Sequence, residues 1–168
     1  GPYAKELYKR VNGESDEAIK TNHKRKSIGI SRTIDPLFCR VELKRRVHVL
    51  VRHLSFAITR LRVIPTVYHL SIKYEMNQKS HKNLSIVEIF TEQKFDKICM
   101  ELFHAADIHK RLSVICMSIN CSGFTRDSKK ELSLIGFEEE RKFNILTTSL
   151  NDLRKKYGID AVKYASEM

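Results

Sequence analysis

The sequence predicts an α+β domain: a four-stranded sheet in β-α-β-β-α-β order with two helices on one face, the split βαβ or ferredoxin-like arrangement, plus a C-terminal helix. Three observations predict it. Apolar residues alternate with period two over "SIGISRTI", "VYHLSIKY" and "LSVICMSIN", they recur every three or four residues from Leu37 to Leu61 and from Glu92 to Ala106, and the two patterns follow one another in that order. The 168 residues, 42% hydrophobic and 30% charged, have room for one well-packed domain and a short extra piece.

The elements follow from local chemistry. Tyr3, Leu7, Tyr8 and Val11 form one helical stripe in "YAKELYKRV", and Asn12-Gly13 supplies the stop, so residues 1–13 form a short helix belonging to something upstream. Residues 14–26 turn from acidic to basic with almost no apolar side chain and form a basic linker. The domain proper spans residues 27–168. Its first strand is Ser27 to Ile34, ended by Asp35-Pro36, with Pro36 suited to the first turn of the next helix. That helix, Leu37 to Leu61, buries Leu43, Val47, Leu50, Leu54, Ile58 and Leu61 and carries Arg40, Lys44, Arg45, Arg46, Arg52 and Arg60 on its other faces.

"VYHLSIKYEM" sets Tyr68, Leu70, Ile72 and Tyr74 against His69, Ser71, Lys73 and Glu75, a half-buried strand. The polar "NQKSHKN" is a turn or loop and "LSIVEIF" the next strand. Thr91 caps a helix from Glu92 to Ala106 with Phe95, Ile98, Leu102 and Ala106 inward. The last strand sets Ile115, Met117 and Ile119 opposite Val114, Cys116 and Ser118, and a final helix runs from Glu138 to about Tyr157.

The 31 Lys and Arg against 20 Asp and Glu give a net charge of +11, which points to a polyanionic partner. Nucleic acid, an anionic membrane surface and a merely solvated basic surface all fit that charge, in this order. Among functions, a membrane-surface role for the Leu37 to Leu61 helix ranks third, after nucleic-acid binding and protein docking, because its apolar stripe is needed for the core. Cys39, Cys99, Cys116 and Cys121 include no CxxC pair and no His at ligand spacing, so reduced thiols and no metal site are expected. No run approaches the roughly 20 apolar residues of a membrane span, and a cytoplasmic, monomeric domain is expected. Catalytic residues are not found: Asp96 with Glu101, or Glu138 to Glu140, form no placed acid pair, and phosphate-loop, dinucleotide and nucleophile-elbow patterns are missing.

With both helices on one side, Ser27, Gly29, Ser31, Thr33, His69, Ser71, Lys73, Cys116 and Ser118 fall on the open face. Small hydroxylic residues and exposed main chain suit phosphates, with Lys24, Arg25, Lys26 and Arg32 to neutralise them. The same pattern also describes the wet face of any antiparallel sheet. Composition favours backbone contact to a duplex over splayed bases, because Tyr68 and Tyr74 share the inward parity and leave no stacking platform.

Several segments together resemble Y-family DNA polymerases of the DinB and UmuC type. "GPYAKELYKRVNGESDE" resembles the end of the thumb, "RKSIGISRTI" the strand that opens the little finger domain, and "VYHLSIKY", "RLSVICMS" and "LRKKYGIDAVKYAS" its second strand, last strand and final helix. The resemblance implies a little finger domain that holds primer-template DNA by its backbones during lesion bypass. Ser27, Gly29, Ser31, Arg32 and Thr33 would be its contacts and Lys24 to Lys26 part of the tether. It also implies palm carboxylates upstream that bind Mg2+ for nucleotidyl transfer, with no cofactor in this chain.

"KKELSLIGF" is similar to the short peptide by which such polymerases dock on a sliding clamp: Leu132, Ser133 and Leu134 match, whereas Glu131 replaces Gln and Ile135 replaces Phe. A clamp or another replication or repair partner is therefore the alternative to DNA, and an ordinary segment docking the last helix is the alternative to both. Val114 stands where the family often has Gly, which would narrow the approach of DNA there. Lys79, His81 and Lys82 can be assigned to phosphates on charge alone.

Overall fold

The structure, a computed structural model, describes residues 2–14, 25–88, 90–125 and 137–167, the side chains of the last stretch from residue 145 onward. The elements are α1 (Pro2–Val11), β1 (Ser27–Leu37), α2 (Arg40–Leu61), β2 (Val67–Tyr74), β3 (Lys79–Ser85), α3 (Glu92–Ala106), β4 (Val114–Ser122) and α4 (Phe137–Tyr157). The four strands form one sheet in the order β1-β4-β2-β3 with every neighbouring pair antiparallel. Consequently β4 lies between the parallel strands β1 and β2, and β2 between β3 and β4. Both helical crossovers are split, as the α+β reading requires.

α1 stops where its Asn12-Gly13 predicts. Gly13, at φ 73°, places its N–H on the Arg10 carbonyl at 3.2 Å, and the Glu14 N–H reaches the Lys9 carbonyl at 2.9 Å. α3 also begins as expected: the Thr91 hydroxyl accepts the Lys94 N–H at 3.2 Å, and Phe95, Ile98, Leu102 and Ala106 are buried. These side chains meet Leu43, Val47, Leu50, Leu54 and Ile58 of α2 and the inward row Tyr68, Leu70, Ile72 and Tyr74 of β2 in one core. Fully burying an aliphatic side chain of this size is worth about 1.5–3 kcal/mol.

Four boundaries and faces differ from the sequence expectation. β1 does not end at Ile34 but runs through Asp35 and Pro36 to Leu37, and α2 starts only at Arg40, after Cys39. Pro36 is tolerated because β1 is an edge strand whose ladder with β4 is irregular between Thr33 and Leu37. Leu61, at the end of α2, is exposed rather than buried. The polar "KSHKN" is strand, not loop: β3 is the opposite edge, where charge is the usual guard against further pairing. Its hairpin turn uses Met76 and Asn77 at φ 55° and 58°, and "LSIVEIF" contributes only Leu84 and Ser85 to the strand.

The fourth difference is a bulge. Lys73 pairs with Cys116, but Tyr74 pairs with Val114, leaving Ile115 as an extra residue in β4. Val114 therefore turns into the core, fully buried, in phase with Met117, Ile119 and Cys121, while Ile115 is only half-buried. The concern that Val114 would obstruct the open face is removed by that turn.

Arginines from the supposedly solvated faces of α2 are structural. Arg52 is 2% exposed and bonds Glu167 at 2.6 Å, Asp160 at 2.9 Å and the Ile159 carbonyl. Burial opposes its charge, but the Asp160 and Glu167 carboxylates more than offset that and raise its pKa. Arg154 of α4 is buried against Glu92 at 2.6 Å. Two buried ion pairs thus fasten the C-terminal segment across the outer side of α2 and α3. Arg40 grips Asp107 through Nε at 3.2 Å and Nη2 at 3.3 Å, and the Tyr74 hydroxyl donates to the same carboxylate at 3.1 Å.

Removing one partner of a buried pair costs far more than removing both. Glu92→Ala, which leaves the Arg154 guanidinium buried and unpaired, is expected to lower the unfolding free energy in urea by about 3–5 kcal/mol. Glu92→Leu combined with Arg154→Met should recover most of that loss. A single-variant loss below about 1 kcal/mol would mean that the pair does not fasten the segment.

Candidate nucleic-acid interface

Strand pairing places the open-face residues in rows across the sheet. One row is Gly29, Asn120, His69 and Asn83; the next is Ser31, Ser118, Ser71 and His81; the third is Thr33, Cys116, Lys73 and Lys79. Ser27 pairs with Ser122 at the end of the same face. Of the predicted residues, Ser27, Gly29, Ser31, Thr33, His69, Ser71 and Lys73 are therefore brought together. Arg25 and Lys26 are exposed directly before β1, whereas Lys24 lies outside the described residues.

The face is held by its own hydrogen bonds. The Ser71 and Ser118 hydroxyls are 2.8 Å apart, the Ser31 hydroxyl is 3.4 Å from the Cys116 thiol, and the His69 and His81 rings stack at 5.6 Å. In the Ser71–Ser118 pair one hydroxyl donates to the other, and the accepting one keeps its O–H for a further acceptor. Burial, and next the His81 ring, push the His69 pKa below its ordinary value, so that imidazole is neutral at pH 7. No Phe, Tyr or Trp stands in these rows. Tyr68 and Tyr74 are buried on the helix side, where their hydroxyls donate to the Pro65 carbonyl at 3.0 Å and to Asp107.

Arg32 does not join this face. Its register partners are Met117, Ile72 and Ser80, which belong to the helix side, and it lines a cleft with Arg45, Arg46 and His53 of α2. Its alternation with Ile28, Ile30 and Ile34 already carried that information. Asn120 and Asn83 were not foreseen, because neither a strand through "KSHKN" nor the cross-strand register is visible in local periodicity. Lys79 and His81, assigned earlier on charge alone, lie in the open rows, while Lys82 pairs with Leu70 on the other parity.

Other candidates are quickly placed. Glu131, Leu132, Ser133, Leu134 and Ile135, the clamp-like peptide, lie outside the described residues. Among the described residues no three His, Cys, Asp or Glu side chains converge to hold a metal ion, and no helix is long and apolar enough to cross a membrane. All four thiols are free; burial pushes Cys121 up to about 12 and Cys99 well up, which leaves both inert.

Gly29 has a structural reason that competes with any role in ligand approach. A Cβ there would sit 3.0 Å from the Ile119 carbonyl oxygen and 3.2 Å from the Asn120 amide oxygen, so β4 itself needs the space. Gly29→Ala is expected to cost about 1 kcal/mol after the gain in strand propensity, a drop of about 3 °C in Tm by calorimetry. An unchanged or higher Tm would show that β4 yields and that the glycine answers to something else.

The chain is 24% identical over 126 residues to DNA polymerase IV of Lactococcus lactis subsp. cremoris (strain SK11), a match covering 74% of this chain and 35% of that protein. It therefore spans about a third of the length of that curated relative. Residues 25–134 match the family described as impB/mucB/samB family C-terminal domain, a stretch that begins just before β1 and takes in the whole sheet with α2 and α3. The chain belongs to this family, the C-terminal domain of the Y-family DNA polymerases.

Proposed function

We propose that the open sheet face grips primer-template DNA by its phosphate backbone while a Y-family polymerase copies past a lesion. The observation that carries this reading is the set of cross-sheet rows. They present hydroxyls from Ser31, Ser71, Ser118 and Thr33, amides from Asn120 and Asn83, the stacked His69 and His81 rings and the Lys73–Lys79 pair, with no Phe, Tyr or Trp among them. Such groups satisfy phosphate oxygens without reading bases. The absence of Phe, Tyr and Trp from the rows suits a duplex better than a single strand whose bases must be stacked.

Charge is concentrated where the rows end. Lys73 and Lys79 are directly opposed and exposed at one end of the face, and Arg25 and Lys26 precede β1 at the other. Like charges across a strand pair cost stability unless something negative lies over them. A phosphate backbone passing from one end to the other would relieve both clusters. Ser27, Gly29 and Arg32 were named as contacts by family resemblance; in this reading Ser27 and the Gly29 main chain remain contacts, and Arg32 acts only through its field. The Mg2+ of nucleotidyl transfer would be held by carboxylates of other domains, so this domain supplies grip and position rather than chemistry.

Lys73→Ala with Lys79→Ala is expected to weaken duplex and primer-template binding alike, whatever the sequence, and to lower the salt slope of log K by roughly two. Fluorescence anisotropy with a salt titration on duplex, primer-template and single-stranded DNA measures this. An unchanged slope, or tighter binding to single strands, would count against the face.

A second expectation concerns pH. A phosphate favours protonated His69, so lowering the pH from 7 through the depressed pKa of that ring should tighten duplex binding beyond what a His69→Gln variant shows. Parallel pH profiles for the two proteins would place His69 off the DNA path.

A further inference from the structure

We propose that the cleft between the outer edge of β1 and the first half of α2 docks an extended acidic peptide of a protein partner, separately from the open sheet face. The cleft measures about 380 Å³, in the range of ligand sites. Its rim carries three guanidiniums, Arg32 from β1 and Arg45 and Arg46 from α2, with the Glu42 carboxylate and the His53 ring beside them. Ile34, Leu50 and Met117 supply an apolar floor.

Charge complementarity selects the occupant. Arg45 and Arg46 each donate to Glu42, at 3.0 and 3.1 Å, and Arg45 also reaches the Glu167 carbonyl at 2.6 Å. Those bonds hold the two guanidiniums in place and neutralise one of them. Arg32 has no hydrogen-bond or ion-pair partner among the described residues, so the rim keeps an excess of positive charge. Burial, then Arg52, depress the His53 pKa, and that ring joins as a neutral hydrogen-bonding group at pH 7.

The edge decides between an acidic peptide and a nucleic acid. Among the described residues β1 pairs with β4 alone, so its other side presents strand N–H and C=O groups to any chain that lies alongside. A peptide added there as a further strand would send alternate side chains over the cleft: an apolar one onto Leu50 and Met117, and carboxylates onto Arg32 and Arg46. A phosphate backbone has no apolar group for the floor, and its oxygens accept but do not donate, so it would leave the edge carbonyls unmet. Pro36 and the irregular pairing after Thr33 end the usable edge at the far side of the cleft.

The test uses the whole 168-residue chain and a fluorescein-labelled peptide whose alternate positions read aspartate, leucine, aspartate, with serine between them, so that both groups share the face turned to the cleft; binding is read by anisotropy. Saturable binding is expected. It should weaken about tenfold in Arg32→Gln, provided that Tm is unchanged, and be lost when lysine replaces aspartate or when alternate peptide nitrogens are methylated. Duplex DNA should leave the peptide bound, and Arg32→Gln should lower the salt slope for duplex by well under one, because only the field of that guanidinium acts there. No saturable binding, or binding indifferent to Arg32→Gln and to methylation, would overturn the proposal. Displacement by duplex, with a salt slope lowered by about one in Arg32→Gln, would instead give the cleft to DNA.

Discussion

The fold depends on β4 satisfying two ladders at once. β1 and β2 both pair antiparallel with it, so every open-face row is fixed at its centre by a β4 residue: Asn120, Ser118 or Cys116. A slip of one residue in either ladder would send Ser118 and Asn120 inward and Met117 and Ile119 into water. The bulge at Ile115 interrupts both ladders at the same point. Beyond it, Val114 returns to the core, and Lys73, Cys116 and Thr33 become the last row of the face. The extent of the candidate interface thus follows from the extra residue Ile115 in the β2 ladder and from Ile34 to Pro36 lying opposite that residue in the β1 ladder.

The net charge divides into structural and available parts. Arg52 and Arg154 are buried in carboxylate pairs, and Arg40 is occupied with Asp107 and with the carbonyls of His109 and Leu112 where the chain enters β4. Those cations cannot serve a polyanion without dismantling the C-terminal fastening or the entry to β4. What remains on the sheet side is small and well placed: Arg25, Lys26, Lys73 and Lys79. Total charge identifies a class of partner, whereas the position of each cation decides whether it can touch that partner.

Legibility followed burial. β2 and α3 were readable because each buries one face completely, which imposes period two on Tyr68 to Tyr74 and helical period on Phe95 to Ala106. β3 looks like a loop in the sequence because its inward positions are Ser80, Lys82 and Leu84, which show no apolar alternation. Pro36 marked an end that an edge strand did not need to obey. On the open face Ser31, Thr33, Ser71 and Lys73 followed from alternation alone, but their neighbours Asn120, Asn83 and Lys79 depended on register, which is a property of pairs of strands. Arg52 and Arg154 escaped entirely: a helical arginine looks solvated until the segment that carries its carboxylate is in place.

β1 separates two surfaces of different chemistry by its parity. Ser27, Gly29, Ser31 and Thr33 face the open rows, and Ile28, Ile30, Arg32 and Ile34 face α2, so the strand is polar on one side and apolar with a single charge on the other. Arg32 is placed where the cover from α2 thins toward the edge, which lets a guanidinium take a position that is otherwise aliphatic. Its field still acts around the strand, since the Debye length is about 8 Å at physiological ionic strength. It therefore adds to the attraction felt by an approaching polyanion at low salt. Its register with Met117 directs its Cβ to the α2 side of the sheet, away from a phosphate on the open face. A residue of this kind speeds encounter on one surface and forms contacts on another, and salt separates the two, because screening removes the first effect and leaves most of the second.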